Sequence, residues 1–403
     1  MKLTRMLNWL LAAAMLICAT GCNPNAENEE GKAKYIFLFI GDGMGVTHVA
    51  AADSYLAYLD GEKLGGQYMT MTGFPYFGTA TSYSANSRVT DSAAAGTAIA
   101  CGEKTNNGSI GVDAEGKPIK SIAYDLKEEG YKVGILTTVP IDHATPTAFY
   151  ANNVDRDACY QMSMQIPESG FDFFAGSGFI DFRGRNNDLE PIDKVIEKGG
   201  YKVYYGIEEY ESSATPDEKV VFCQASNKEE DAGNYVSEGK LREDATLGQM
   251  LEIAMKHIGE KEPFFFMCEG GKIDWTAHGN RTMPMIMDIL EFDNAISIAY
   301  EFYKQHPDET LIVVTADHET GGMSLGAGRD VNWKPLIEQW EKDNHKNNLS
   351  DEENKELNRK ASIGWTTGSH SGAPVPVYAI GKGADKFSGC MDNTEIKGKI
   401  LGE

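Results

Sequence analysis

The chain has 403 residues, of which 41% are hydrophobic and 24% charged, and its formal net charge at pH 7 is −23. This composition is that of a globular protein with a substantial core. So acidic a chain argues against nucleic acid or anionic lipid as a specific partner. Setting aside Cys18 and Cys22, five of the seven cysteines remain without paired CxxC spacing, so we expect neither a disulfide framework nor a cysteine metal site.

The N-terminus has the pattern of an export signal. Lys2 and Arg5 precede an apolar run over residues 7–17, and small residues lead up to Cys22. A basic start followed by a short apolar run is typical of a secretory signal peptide. We therefore expect residues 1–21 to be removed from the mature protein.

The sequence Ala-Thr-Gly-Cys that ends at Cys22 favours lipidation of that cysteine, with ordinary signal cleavage as the alternative. Residues 22–33 are polar and acidic, which predicts a tether. No later stretch approaches the apolar length of a membrane span. We expect an exported protein, periplasmic or anchored to the outer membrane, whose only membrane contact is a lipid at Cys22.

A buried strand is predicted over residues 35–40, and the turn Gly-Asp-Gly-Met-Gly follows it. The glycine spacing does not fit a dinucleotide fingerprint, and a carboxylate in the turn would repel a pyrophosphate. Asp42, between two glycines, suits a metal ligand. The alternative is that Asp42 caps the amphipathic helix predicted over residues 46–59.

Asp91 and Ser92 precede an alanine-rich run that is typical of a helix start. Ser92 falls in the first turn, where free N–H groups and the helix dipole favour an anion. Capping of the helix by these residues is the structural alternative.

A further strand is predicted over residues 132–138, and Asp142, His143 and Thr145 follow it, with Arg156 later in the chain. Each of these residues, taken alone, is an ordinary loop residue.

The apolar run over residues 264–268 predicts a strand buried on both faces. Glu269 follows at once. Asp274 and His278 are four residues apart, so one helical turn places both on one side, which suits a single metal ion. A polar loop after a core strand is the alternative.

The strand predicted over residues 310–315 leads to Asp317 and His318. Such charges directly after a buried strand are costly without a partner. His370 lies in the motif Gly-Ser-His-Ser-Gly, before a last strand predicted over residues 375–380.

The alternation of strands and helices predicts an α/β fold, a mostly parallel central sheet with helices on both faces. In such sheets the carboxyl ends of the strands lie along one edge. Residues of metal-ligand type that follow strands should therefore meet there: Asp42, Thr145, Glu269, Asp317 and His318, joined through loops by His278 and His370. Oxygen ligands mixed with imidazole suit zinc and magnesium.

With six motifs in the family's order, the sequence closely resembles the alkaline phosphatase family from about residue 34 to residue 381. The motifs are IGDGMG, DSAAAGTA, HATPTAFYA, EGGKIDWTAH, TADHETGG and GSHSG. The resemblance implies a single catalytic domain over residues 34–403, with a crown-like surface insertion at about 323–364.

The resemblance also implies two Zn²⁺, one Mg²⁺ and a set of roles for individual residues. One zinc ion would be held by Asp274, His278 and His370, the other by Asp42, Asp317 and His318, and the magnesium ion by Asp42, Thr145 and Glu269. Ser92 would be the nucleophile and Arg156 the phosphate clamp, with Asp91, His143 and Trp275 as neighbours of these groups.

The implied function is hydrolysis of small phosphate monoesters through a phosphoserine intermediate, with homodimerisation left open. A phosphodiesterase of the same superfamily and a non-catalytic lipoprotein that binds phosphate or metal are the alternatives. A diesterase commonly uses Thr and lacks the arginine clamp, so Ser92 with Arg156 speaks against it. The pair His143 and Trp275 resembles that of cold-active marine members, which implies a third site that holds magnesium loosely.

Overall fold

The computed structural model describes residues 31–227, 245–346 and 349–403. The expected signal peptide, Cys22 and most of the expected tether lie outside the described residues. The strands are β1 Tyr35–Gly41, β2 Tyr76–Thr81, β3 Lys132–Thr137, β4 Phe173–Gly176, β5 Tyr201–Tyr205, β6 Lys219–Cys223, β7 Phe264–Gly270, β8 Thr310–Thr315, β9 Glu319–Thr320, β10 Met323–Leu325, β11 Ile363–Trp365, β12 His370–Ser371, β13 Val375–Gly381 and β14 Gly389–Asp392.

The α-helices are α1 Val46–Leu59, α2 Ser92–Cys101, α3 Ile122–Glu128, α4 Ala144–Thr147, α5 Cys159–Ser163, α6 Ile166–Ser169, α7 Ile192–Lys198, α8 Ile207–Ser213, α9 Leu247–Ile258, α10 Lys272–His278, α11 Thr282–Gln305, α12 Lys334–Lys342, α13 Asp351–Ala361 and α14 Glu395–Leu401. The helix predicted over residues 46–59 is confirmed as α1. Within the described residues, no helix is long and apolar enough to cross a membrane.

A central sheet organises the described residues. Its ten strands run in the order β14-β2-β13-β8-β1-β7-β3-β4-β6-β5. The strands from β8 to β5 are all parallel, whereas β13 pairs antiparallel with both β8 and β2. The prediction of a mostly parallel α/β sheet is therefore confirmed, with an antiparallel strand near one side.

The middle of the sheet is its most deeply buried part. Every residue of β1, β7 and β8 is buried, which requires cover on both faces of these strands. Alternate aromatic residues of β1 pack against the long helix α11: Tyr35 meets Phe302 with ring centroids 5.0 Å apart, and Phe39 meets Phe292 at 5.9 Å. This apolar packing fixes the position of the strand ends that carry the polar residues.

Candidate metal centre and active site

Adjacent central strands bring polar side chains to one edge of the sheet. Asp42 follows β1 directly, Glu269 is the penultimate residue of β7, Asp317 lies just past β8, and Thr145 is in α4, after β3. The strands are neighbours in the order β8-β1-β7-β3, and the parallel register pairs Ile40 with Glu269. The sequence expectation that these residues meet agrees with their observed positions.

Asp42, Asp317 and His318 form the inner cluster, and all three side chains are fully buried. Nε2 of His318 lies 3.3 Å from Oδ1 of Asp42 and 3.3 Å from Oδ2 of Asp317. The other Asp317 oxygen accepts hydrogen bonds from the backbone N–H groups of Gly43 and His318, at 3.1 and 2.9 Å. One Asp317 oxygen is thus held by the backbone, while the second is turned toward its neighbours.

Asp274, His278 and His370 form the outer cluster. Nε2 of His278 lies 3.2 Å from Oδ2 of Asp274 and 3.2 Å from Nε2 of His370. The rings of His370 and His318 stack with centroids 3.6 Å apart, so the outer and inner clusters touch. Ligand-type atoms of Asp274, His318 and His370 all lie within 4.8 Å of one another.

The histidines of the outer cluster are oriented by backbone carbonyl groups. Nδ1 of His278 is 2.8 Å from the carbonyl oxygen of Gly368, and Nδ1 of His370 is 2.9 Å from that of Thr90. Because a carbonyl only accepts, each Nδ1 must carry the proton. In the neutral ring, Nε2 then presents a lone pair to the cluster, which is the tautomer that a metal ligand needs. The hydrogen bond with Asp274 raises the pKa of His278 to about 9, so a metal ion that binds there must displace the Nε2 proton.

A third cluster lies beside the inner one. Ligand-type atoms of Asp42, His143 and Glu269 lie within 4.8 Å of one another. Nδ1 of His143 is 3.9 Å from Oε1 of Glu269. The ring of Trp275 meets that of His143 edge-on, with centroids 5.9 Å apart, so Trp275 forms part of the wall of this cluster.

Ser92, Asp91 and Arg156 lie together next to the inner cluster. Ser92 is the first residue of α2, and its Oγ lies 3.2 Å from Nε2 of His318. Asp91 caps α2 by accepting from the backbone N–H of Ala94 at 3.0 Å. The second Asp91 oxygen accepts from Nη1 of Arg156 at 3.0 Å. Asp91 therefore aligns the guanidinium with the N-terminus of the helix that begins at Ser92.

Arg156 also lines a cavity of about 440 Å³, which His143 of the third cluster lines as well. Its lining includes Arg156, His143, Asp142 and Arg185. Asp142 itself is turned away from the clusters, because it accepts from the backbone N–H of Ile180 at 2.8 Å and from Ser163. The Arg156 side chain is partly exposed to solvent at this cavity.

Burial dominates the electrostatics of the inner and third clusters. Burial, with the nearby Asp317, raises the pKa of Asp42 well above its usual range. Burial raises the pKa of Glu269 to about 8 and that of Asp317 to about 6. Burial also lowers the pKa of His318 to about 4. Neutral imidazole and carboxylates that lack a cation are what a metal site offers before it is loaded.

Several buried polar atoms of the clusters make no hydrogen bond within the part of the chain that the structure describes. They are both carboxylate oxygens of Asp42, Nδ1 of His143, Oγ1 of Thr145, Oε1 of Glu269 and Oδ2 of Asp317. Buried polar groups are nearly always paired, and an unpaired one is costly. Their convergence on one place fits cations as the partners, so the residues present fit divalent metal ions.

Two threonines of the site were not expected from the sequence. The Thr137 hydroxyl donates to Oε2 of Glu269, and the Thr320 hydroxyl donates to Oδ1 of Asp274 and lies 3.3 Å from Nδ1 of His318. Both residues hold candidate ligands in place. Their positions at the end of β3 and just past His318 are the only sequence signals for them.

The glycine-rich turn at Asp42 has a steric reason. Gly43 has φ +72°, and a Cβ added there would lie 2.9 Å from both Oδ1 of Asp274 and Oγ1 of Thr320. Position 43 must therefore be glycine, because any side chain there would keep the end of β1 from approaching the outer cluster.

The fold and these clusters together define a class of protein, α/β enzymes with a site for divalent metal ions at the carboxyl edge of the sheet. The family model described as Alkaline phosphatase matches residues 33–211, 229–346 and 334–401. The chain belongs to the alkaline phosphatase family and is a phosphomonoesterase.

Individual relatives agree over most of the chain. Alkaline phosphatase 4 of Bacillus subtilis is 29% identical over 92% of this chain and 88% of its own length. The solved alkaline phosphatase of the Antarctic bacterium TAB5 has a TM-score of 0.72 and 31% identity, covering 92% of this chain and 98% of that one. The cold-active enzyme of a Shewanella species has a TM-score of 0.75 and 27% identity over 91% and 98%.

Proposed function

We propose that this phosphomonoesterase acts through a phosphoserine at Ser92. The observation that carries the proposal is the position of Ser92 Oγ, 3.2 Å from His318 Nε2 of the inner cluster and at the N-terminus of α2. Arg156 donates to Asp91, the residue directly before Ser92. A phosphoryl group located there would meet a hydroxyl, a guanidinium and free helix N–H groups together.

We assign two Zn²⁺ and one Mg²⁺ to the three clusters. The outer cluster offers one carboxylate and two imidazoles, and the inner cluster two carboxylates and one imidazole, which are donor sets of the type that zinc takes. The third cluster adds carboxylate and hydroxyl oxygens from Asp42, Glu269 and Thr145, which suit magnesium. When bound, such ions lower the pKa of an oxygen nucleophile and stabilise charge that develops on a phosphoryl group.

The proposed hydrolysis has two chemical steps, both at Ser92. Ser92 Oγ attacks phosphorus and loses its proton, the bond from phosphorus to the ester oxygen breaks, and the alcohol leaves after taking up a proton. Water then attacks the phosphoserine, the bond from Oγ to phosphorus breaks, and inorganic phosphate leaves as Ser92 regains a proton. Arg156 binds two phosphoryl oxygens through its planar fork in both steps, and its bond to Asp91 keeps that fork in orientation.

A pair of chromogenic esters tests the reaction class. The parent enzyme should hydrolyse 4-nitrophenyl phosphate much faster than bis(4-nitrophenyl) phosphate, and brief exposure to labelled monoester followed by acid quench should leave label on Ser92. Faster diester turnover would favour the phosphodiesterase alternative. Absence of turnover on both, with metal bound, would favour the binding lipoprotein.

We further propose that the third site holds magnesium loosely. Burial lowers the pKa of His143 to about 3, so its ring is neutral, and unlike a carboxylate it supplies no negative charge beside Glu269. A carboxylate in its place would add an oxygen and a charge that magnesium prefers, whereas an imidazole nitrogen suits zinc better. In support, a histidine-to-aspartate variant of the TAB5 alkaline phosphatase has been solved with magnesium bound in its M3 site.

The remaining expectations concern location. We propose that the protein is exported and anchored by lipid at Cys22, on the pattern of the N-terminal sequence. Analytical ultracentrifugation would measure whether the protein is a monomer or a homodimer in solution.

A further inference from the structure

We propose that helix α13 braces the zinc-ligand candidate His278 through two buried asparagines, Asn354 and Asn358. The inference rests on the proposed function, because it takes His278 to be a metal ligand. This helix falls within the surface insertion expected at about residues 323–364. In the structure, however, both asparagines are only 4% exposed, on the same face of a helix whose other residues are mostly charged and exposed.

Both amides donate to the short loop that follows His278. Nδ2 of Asn354 donates to the carbonyl oxygens of Gly279 and Asn280, both at 3.0 Å, and Nδ2 of Asn358 donates to that of Asn280 at 2.8 Å. Buried amides need partners, and these bonds satisfy carbonyl groups just past the C-terminus of α10, where a helix leaves carbonyls unpaired. Two side chains thus hold two successive peptide units of the loop.

Asn358 is itself held in one orientation. Its Oδ1 accepts from Oγ1 of Thr282 at 2.7 Å, and that hydroxyl accepts in turn from Nε1 of Trp365 at 3.1 Å. The indole can only donate, so the Thr282 hydroxyl accepts from it and uses its single proton to donate to Asn358. The direction of both hydrogen bonds is therefore determined. The amide nitrogen of Asn358 therefore must face the loop.

The loop is tied on its other side as well. The side-chain amide of Asn280, with its nitrogen toward carbonyl oxygens, donates to Thr367 at 2.8 Å and to Ala277 at 3.1 Å. Thr367 precedes Gly368, whose carbonyl oxygen orients Nδ1 of His278. The brace therefore reaches His278 both through the chain and through the carbonyl group that sets its tautomer.

His278 needs such support more than its partners do. Its side chain is 39% exposed, against 6% for Asp274 and 16% for His370. It is also the last residue of a seven-residue helix, where helices fray. Packing alone does not fix the ring, so the hydrogen-bonded loop must. Asn354 and Asn358 are positioning residues, since they act on the metal through His278.

The test measures zinc release by the holoenzyme. Zinc-loaded Asn354→Ala and Asn358→Ala proteins are mixed with a chromogenic chelator, and the zinc affinity of each site is obtained by competition. We expect one zinc ion to bind about tenfold more weakly, the lower end of the range for groups that orient a ligand, while the other keeps its affinity. Activity lost at stoichiometric zinc should return with excess zinc.

Matched variants keep the proposal open to refutation. Lys355→Ala, on the exposed face of the same helix, should leave both zinc affinities as in the parent. Thr282→Val keeps both amide donors to the loop but removes the hydroxyl that joins Asn358 to Nε1 of Trp365. We expect a smaller loss of affinity at the same zinc ion, which can be measured even where the alanine variants do not fold.

Unchanged zinc affinities in folded variants, with only a lower unfolding midpoint, would overturn the brace. If the parent enzyme hydrolyses monoesters and binds zinc, and the asparagine variants bind zinc as tightly as the parent, the brace alone is refuted. A parent that binds no zinc would refute the proposed function and the brace with it.

Discussion

Above about pH 6.5, where histidines of the unfolded chain are already neutral, the metal-stripped protein should lose stability as pH rises, and Glu269 should account for a large share of the loss. Its carboxyl group is fully buried, and burial raises its pKa from 4.5 to about 8 in the folded protein without metal. Because the folded-state pKa lies above the unfolded one, the contribution to stability is complete below about pH 4.5 and is lost as pH rises through about 8. At about 1.4 kcal/mol per unit, the shift corresponds to roughly 5 kcal/mol of unfolding free energy.

Bound metal ions should remove this slope. Bound cations favour the ionised carboxylates of Asp42, Glu269 and Asp317. The pKa values of these groups should therefore be low in the metal-loaded protein. Burial raises the pKa of Asp317 and Asp42 as well, so both add to the loss in the same direction. The metal-free and loaded proteins should therefore differ in stability most at alkaline pH.

Urea unfolding of chelator-stripped and metal-loaded protein measures this over a pH range of about 5 to 9. Glu269→Gln keeps an oxygen that can accept from Thr137 and cannot ionise, so it should flatten the apo profile. Glu352→Gln, an exposed residue of α13, is the control and should keep the parent profile. An apo protein as stable at pH 9 as at pH 6, or a Glu269→Gln profile like that of the parent, would refute the reasoning.

Four further outcomes are expected. Ser92→Ala should lose most monoesterase activity with its metal content intact by elemental analysis; turnover near that of the parent, with no label trapped on serine, would exclude the covalent route. Arg156→Ala should lower kcat/KM by about one to two decades, since a hydrogen bond to a charged group is worth roughly 1.5–3 kcal/mol, and unchanged inhibition by inorganic phosphate would rule out the clamp. Activity of the parent should rise with added magnesium and fall with excess zinc, and His143→Asp should blunt both responses in the same titrations; indifference of parent and variant would contradict the loose third site. Full-length protein should enter the detergent phase on phase separation, whereas Cys22→Ala protein should stay aqueous, and equal partitioning of the two would defeat lipidation.

Much of the site could be predicted because its residues follow strands that are unusually easy to recognise. The runs at Tyr35, Lys132, Phe264 and Thr310 are almost wholly apolar, as strands buried on both faces must be. Charged residues directly after such runs are costly unless they have a partner, so they mark a candidate site. Parallel pairing then requires that the strand ends lie at one edge, so local sequence and topology point to the same place.

The short peripheral strands escaped prediction for the opposite reason. β2 and β14 carry glycine, threonine and aspartate and lie at one side of the sheet, so no apolar run marks them. β13 re-enters the central sheet after α13 and runs antiparallel to its neighbours β8 and β2. The direction of re-entry depends on the whole fold. None of these features is encoded within a window of neighbouring residues.

The sequence by itself determined which residue types lie at the carboxyl edge, because burial of the central strands depends only on local apolar runs. Tertiary structure alone decided how those residues are held. Thr137, Thr320, Asn354 and Asn358 are ordinary polar residues until distant segments bring each beside a carboxylate or a carbonyl group. Hydrogen bonds between residues up to 132 positions apart depend on side-chain direction and distance, and these are set only when the core has packed.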